Sequence, residues 1–359
     1  MNLDLSDDQR QLADLAAEIF AGHADAERIS RVEQSDDPMD RELWGALATA
    51  GLLGVGVPEK YDGLELGAVG LALVCEQLGR VVAPVPVVST CAAALAISAA
   101  GSASQQERWL PAVADGSLVI AVAAPQSVLD PRVDGDRLTT TVVGLPWAPA
   151  ADLLVVPAGD RLWALHRGAI DGHAEAGLTT ASEPALTVTL DEVTAEPIGG
   201  PGASLLLQHH WRTALAATQA GVADGAVRLT ADYTSQREQF GKPLATVQGV
   251  ALKAADAYLD SVAIRSTALQ AAWTIDSGSD PSLSVLSAAW WAAEAGQHCV
   301  HLTQHLHGGM GADVTYPVHR FFLWGKQIEL LLGGASALLA ELGEALATAP
   351  DAGEAIRLD

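Results

Sequence analysis

Residues 235–250 read SQREQFGKPLATVQGV. Long segments of helical apolar spacing run before and after this stretch, and Gly241 and Pro243 interrupt them. The interruption gathers Arg237, a Phe240–Gly241 pair and Lys242 in a chain with 44 acidic and 20 basic residues and a formal net charge of -24. Its lysines are Lys60, Lys242, Lys253 and Lys326 alone. A planar guanidinium beside an aromatic ring suits an anion carried on a flat ring system. The plainer alternative is a helix end followed by a surface loop.

Working outward, the chain divides into three zones. Residues 1–115 read as helices: Leu12, Leu15, Ala16 and Ile19 share a face, as do Leu43, Leu47, Leu52 and Leu53. Residues 116–200 change period. The run ALTVTLDEV alternates, with Leu186, Val188 and Leu190 on one face and Thr187 and Thr189 on the other, as a half-buried strand requires. Residues 201–359 return to helices, broken mainly at KPLATVQ, DSGSDPSL and HGGMGADVTYP. The expected fold class is α+β and multidomain, with a helical N-terminal domain, a middle β domain and a C-terminal four-helix bundle.

Composition narrows the function. With 359 residues, 49% of them hydrophobic, the chain can bury a large core. The acidic balance argues against a nucleic-acid or anionic-membrane partner, and any anionic ligand must meet a local positive cluster or backbone amides. The N-terminal MNLDLSDDQRQLADLAAEIF has no basic region before an apolar run, so no signal peptide is read there. Cys75, Cys91 and Cys299 are too few and too far apart for a disulfide framework, which fits a cytoplasmic protein.

Four stretches in order resemble the acyl-CoA dehydrogenase family: GLLGVGVPEKYDGLELG, QQERWLPAVADGSLVIAVAAP, REQFG followed by Gln248, and HLHGGMGADVTYPVHR. The resemblance implies an FAD-dependent desaturase of acyl-CoA esters, in which a carboxylate removes the α-proton and the β-hydrogen leaves as hydride. It also implies a cofactor shared between subunits. The middle domain of one subunit grips the flavin, while the neighbour's R-x-x-F-G and Gly-Gly segments hold the pyrophosphate and adenosine end. On this chain those segments supply Arg237, Phe240, Gln248, His305, Gly308, Gly309 and Gly311.

The chain departs from the family at the other half. The flavin-contacting T-E-P-G-A-G-S-D loop is reduced to Ala123, Ala124, Pro125, Gln126 and Ser127. The W-I-T or W-I-S tripeptide becomes Trp147, Ala148 and Pro149, and Pro149 removes a backbone donor. Counted from Tyr316, Pro317 and Arg320, the family's base position falls on Leu332; the other known base position, counted back from Arg237, falls on Trp211. No catalytic residue is therefore assigned to this chain. The pattern resembles the non-catalytic subunit of actinobacterial α2β2 acyl-CoA dehydrogenases, several of which act on CoA esters of steroid side chains. A catalytic partner subunit would then supply the base and bind most of the acyl-CoA.

Other readings stay open. Glu329 lies one turn before Leu332 and would serve as base in a homo-oligomeric enzyme if the register slips, and a flavin-free scaffold subunit is the third possibility. His298, His301 and His305, with Cys299 between them, have helical spacing but no carboxylate or CxxC to complete a zinc shell, so a polar helix face or an adenosine contact is preferred. His209 and His210 are read as facing solvent rather than lining a blocked tunnel.

Overall fold

The computed structural model describes residues 4–348 except Asp36, Pro38 and Phe240. Phe240, one of the candidate cofactor residues, thus lies outside the described residues.

The N-terminal zone holds α1 (Asp7–His23), α2 (Ala26–Glu33), α3 (Arg41–Thr49), α4 (Gly67–Val81), α5 (Val87–Ala100) and α6 (Ala103–Ala114). Local chemistry fixes the starts of α1 and α6. The Ser6 hydroxyl accepts from the Gln9 amide while the Gln9 side chain accepts from the Ser6 amide, and Ser102 with Gln105 repeats this capping box ahead of α6. The buried face of α1 is Leu12, Ala16 and Phe20. Leu15, expected on that face, is 40% exposed, because the buried stripe of α1 runs i, i+4, i+8 through Leu12, Ala16 and Phe20.

Two four-stranded sheets follow. One has the order β1 (Ile120–Val122), β4 (Leu153–Ala158), β5 (Arg161–His166), β8 (Glu196–Ile198). The other has the order β2 (Val128–Asp134), β3 (Arg137–Pro146), β7 (Pro184–Thr194), β6 (Ala174–Leu178) and is antiparallel throughout. On β7, Leu186, Val188 and Leu190 are buried and Thr189 is exposed, the alternation expected of it.

The C-terminal helices are α7 (Ala203–Gln236), α8 (Gln248–Asp276), α9 (Ser282–Leu306), α10 (Val318–Leu332) and α11 (Ala335–Thr348). Helices α7 to α10 pack as a bundle, α4 lies along α7, and α11 rests on α9. The segment Val318–Thr348 has the length and hydropathy of a membrane span, but Gly333 and Gly334, at φ 97° and 90°, divide it into α10 and α11. The α4–α7 crossing is tight: a Cβ on Gly221 would sit 1.9 Å from the Glu76 carbonyl oxygen. Asp276, at the end of α8, accepts from the amides of Ala68 and Val69 at 2.8 Å each and so caps α4 from another domain.

The middle sheets meet the start of α7 and the end of α10, while the R-x-x-F-G segment follows the other end of α7. Trp211 and Arg237 stand on or at the end of that helix, about 39 Å apart at 1.5 Å rise per residue.

Candidate functional site

Two places carry the residues singled out by sequence. The first is a seam where the end of β3, the turn between β6 and β7, α7 and α10 converge. Trp147 takes a left-handed backbone, φ 62°, and its amide donates to the Pro184 carbonyl at 2.6 Å. That conformation aims the indole inward. Its Nε1 donates to Glu183 Oε1 at 3.0 Å, and the Thr179 hydroxyl donates to Glu183 Oε2 at 3.2 Å. Burial pushes the Glu183 carboxyl up to about 7, with those two hydrogen bonds opposing the rise.

Further bonds fasten the β domain to α10. The Thr180 hydroxyl donates to Gln327 Oε1 at 2.7 Å. Gln126 Nε2 donates to the carbonyls of Leu330 and Leu331 at 3.0 and 2.7 Å, near the C-terminal end of the helix. What remains is a cavity of about 40 Å³ walled by Trp147, Trp211, Trp324, Ile328 and Leu331, with Glu183 as its ionisable group. At 10–15 Å³ per water that is room for about three waters.

The two base positions fall at this seam. Trp211 is 4% exposed, lines the cavity and leaves its Nε1 without a partner. Leu332 is buried beside Leu331. Glu329 accepts from Lys326 Nζ at 2.8 Å and is not among the residues lining the cavity. His210 is a correction: it is buried rather than facing solvent, its Nδ1 has no partner, and burial lowers it to about 4, so it is neutral.

The second place is the far corner of the bundle, where α7 ends, α8 begins and α9 ends. A short hairpin pairs Lys242 with Gln239 and Pro243 with Glu238, and the Arg237 carbonyl accepts from the Leu244 amide. Arg237, Lys242, Gln248 and His305 are exposed, and among the described residues none of their side chains has a hydrogen-bond or ion-pair partner. Behind them the His307 ring stacks on Tyr233, centroids 4.5 Å apart, and sits 5.3 Å from Tyr316. His307 Nδ1 faces the Thr303 carbonyl at 2.8 Å, which leaves its buried Nε2 unpaired.

The glycines here serve different needs. Gly308 requires its left-handed φ of 58°, and a Cβ on Gly311 would strike the Gln304 carbonyl at 2.4 Å. Gly309 is exposed with open space where a side chain would be, so its backbone is accessible to a ligand. The three histidines on α9 serve separate contacts: His298 Nδ1 meets Asp260 at 2.7 Å, His301 stands edge-on to Phe322, and His305 is exposed. Cys299 donates to the Ala257 carbonyl, and burial raises its thiol.

Comparison with known proteins settles the family. The acyl-CoA dehydrogenase N-terminal domain profile matches residues 6–117 and the C-terminal domain profile residues 204–346, on either side of the sheets. The acyl-CoA dehydrogenase FadE27 of Mycobacterium tuberculosis is 32% identical over 356 residues, covering 90% of this chain and 93% of that protein. This chain belongs to the acyl-CoA dehydrogenase family.

Two solved relatives of the acyl-CoA dehydrogenases are complexes of unlike subunits. The Tcur3481–Tcur3483 steroid acyl-CoA dehydrogenase (a G363A variant) superposes with a TM-score of 0.89 and 43% identity, covering 95% of this chain and 98% of that one. The ChsE4–ChsE5 complex from Mycobacterium tuberculosis gives 0.90 and 30%, covering 98% and 100%. The family is one of FAD-dependent oxidoreductases. Against that background, sequence reading overlooked Glu183, Thr180, Gln327 and the tethering role of Gln126 at the seam, and Tyr233, His307 and Tyr316 at the corner. Of these, the Tyr233–Arg237 spacing of one helical turn was the available signal.

Proposed function

We propose that this chain is the non-catalytic subunit of a heteromeric FAD-dependent acyl-CoA dehydrogenase. In the α2β2 assembly it holds the pyrophosphate and adenosine end of a flavin whose ring lies in the partner. The observation that carries this reading is the contrast along α7: a seam closed by Trp147, Gln126 and Thr180, and a corner where Arg237, Lys242, Gln248 and His305 stand unpartnered. The residues at the corner fit the anionic end of FAD, and the seam, filled with tryptophan, does not fit the ring.

FAD, when bound, accepts the hydride of the desaturation. This chain contributes binding. Arg237 supplies a charge-assisted contact to a phosphate, Gln248 can donate and accept, and the accessible Gly309 backbone lets a nucleotide come close. The base would belong to the partner, because Leu332 and Trp211 accept no proton and Glu329 is paired with Lys326. The steroid acyl-CoA dehydrogenase complex among the relatives supports a CoA ester of a steroid side chain as substrate, bound mainly by the partner.

Arg237→Ala in the assembled complex tests the assignment. Loss of one charge-assisted contact, about 1.5–3 kcal/mol, should weaken FAD retention roughly 10- to 150-fold with oligomer size intact. Unchanged flavin content would remove Arg237 from the site and favour a scaffold role.

A further inference from the structure

We propose that the exposed face of α8 is the seat of a helix from the catalytic partner subunit, packed along a heptad stripe of this chain. The identity of that occupant rests on the function proposed above, whereas the stripe is read from α8 alone.

Leu252, Ala255, Leu259, Val262, Ser266 and Trp273 are all exposed and occupy a and d positions of a heptad, the spacing by which one helix receives another. At 3.6 residues per turn they fall within a stripe about 80° wide. No charged residue stands in that stripe, although the chain carries a net charge of -24; Asp256 and Arg265 border it on opposite sides. Ser266, its polar member, already donates its hydroxyl to the Val262 carbonyl at 2.8 Å, so covering it leaves no donor unmet. With Tyr258 at its edge, α8 shows five exposed large hydrophobic side chains, and no other element among the described residues shows more than two. At exposures such as 59% for Leu252 and 63% for Leu259, the five present roughly 500 Å² of apolar surface, toward the top of what a monomer leaves uncovered. That area suits the apolar centre of an interface burying about 800 Å² on each side.

Length and position select the occupant. From Leu252 to Trp273 the stripe runs about 32 Å, which calls for an apolar helix of about six turns. Gln248, the first residue of α8 and one of the exposed residues of the corner, lies on the same face one turn before Leu252. A subunit whose cofactor reaches Gln248 therefore already stands over the first turns of the stripe. A second copy of this chain would bring another charge of -24 against the first, a self-repulsion that an unlike subunit need not share.

The full chain is titrated with a base-containing acyl-CoA dehydrogenase subunit of the same organism, and the products are weighed by native mass spectrometry. Leu259→Glu sets a carboxylate in the middle of the stripe at a site exposed in this chain, so the isolated variant should keep its melting temperature. The dissociation constant of the complex should rise about 30-fold or more, the scale of an interface hot spot. Leu178→Glu, at an exposed leucine on β6, should leave that constant unchanged. An unchanged constant for Leu259→Glu overturns the proposal, as does equal weakening by both variants. Heterodimers that form normally but no longer pair into tetramers put a second copy on the stripe and overturn the choice of occupant. Arg237→Ala, read by flavin content, separates this inference from the function. If that variant loses flavin while Leu259→Glu binds the partner like wild type, the seat alone has failed; the reverse pattern keeps the seat and removes the corner. A wild-type chain that does not bind the partner removes both.

Discussion

The two ends of α7 are built on opposite rules. At the seam, both Glu183 oxygens, the Thr180 hydroxyl and the Gln126 amide are spent on contacts inside the chain, and three tryptophans wall what space remains. At the corner, the side chains of Arg237, Lys242, Gln248 and His305 face water with no partner among the described residues. An unpartnered guanidinium costs little in water, so exposure alone is unremarkable in energy. What the contrast teaches is where charge is left exposed: a protein of charge -24 keeps exposed cations at one end of the helix and fills the other with tryptophan.

The largest way to break that contrast is Trp147→Ala. Truncating an aromatic side chain that is 4% exposed costs about 3–5 kcal/mol and leaves the Glu183 carboxyl without its indole donor. The melting temperature should fall by several degrees, as calorimetry will record, with FAD affinity of the complex unchanged because the corner lies about 39 Å away along α7. Equal loss of flavin would mean that the ends are not independent.

A smaller effect is expected from Gln126→Ala, which removes both donors to Leu330 and Leu331 at an exposed site. About 0.5–1.5 kcal/mol of stability should go, measurable as a shift in denaturant midpoint, with exchange protection falling in residues 324–332. No change would show that the loop does not fasten α10.

Much of this was legible beforehand. The alternation through Leu186, Val188 and Leu190 identified a strand, and the break at Gly241–Pro243 located the corner, because both are local rules of backbone geometry. The seam was half legible: the loss of side chains at 123–127 was visible, and what replaced their contacts was not. Gln126 reaches a carbonyl 204 residues along the chain, and Thr180 a side chain 147 residues away, pairings that no local period encodes. The burial of His210 escaped for the same reason, since it depends on what lies against α7 rather than on its neighbours in sequence.

The smallest expected effect is at Glu329. With its carboxylate already taken by Lys326, Glu329→Gln in the assembled complex should leave turnover nearly unchanged, whereas a general base contributes about 10²–10⁴-fold. A fall of about 10²-fold at intact FAD content would make this chain catalytic.

Flavin stoichiometry tests the central claim most directly. The chain is purified alone and together with a base-containing acyl-CoA dehydrogenase subunit of the same organism, and bound FAD is measured by absorbance beside native mass. The proposed corner site for one end of the cofactor, at the opposite end of α7 from a seam walled by three tryptophans, predicts a colourless single chain and a yellow complex with one FAD per heterodimer. Stoichiometric FAD in the purified single chain would contradict the account.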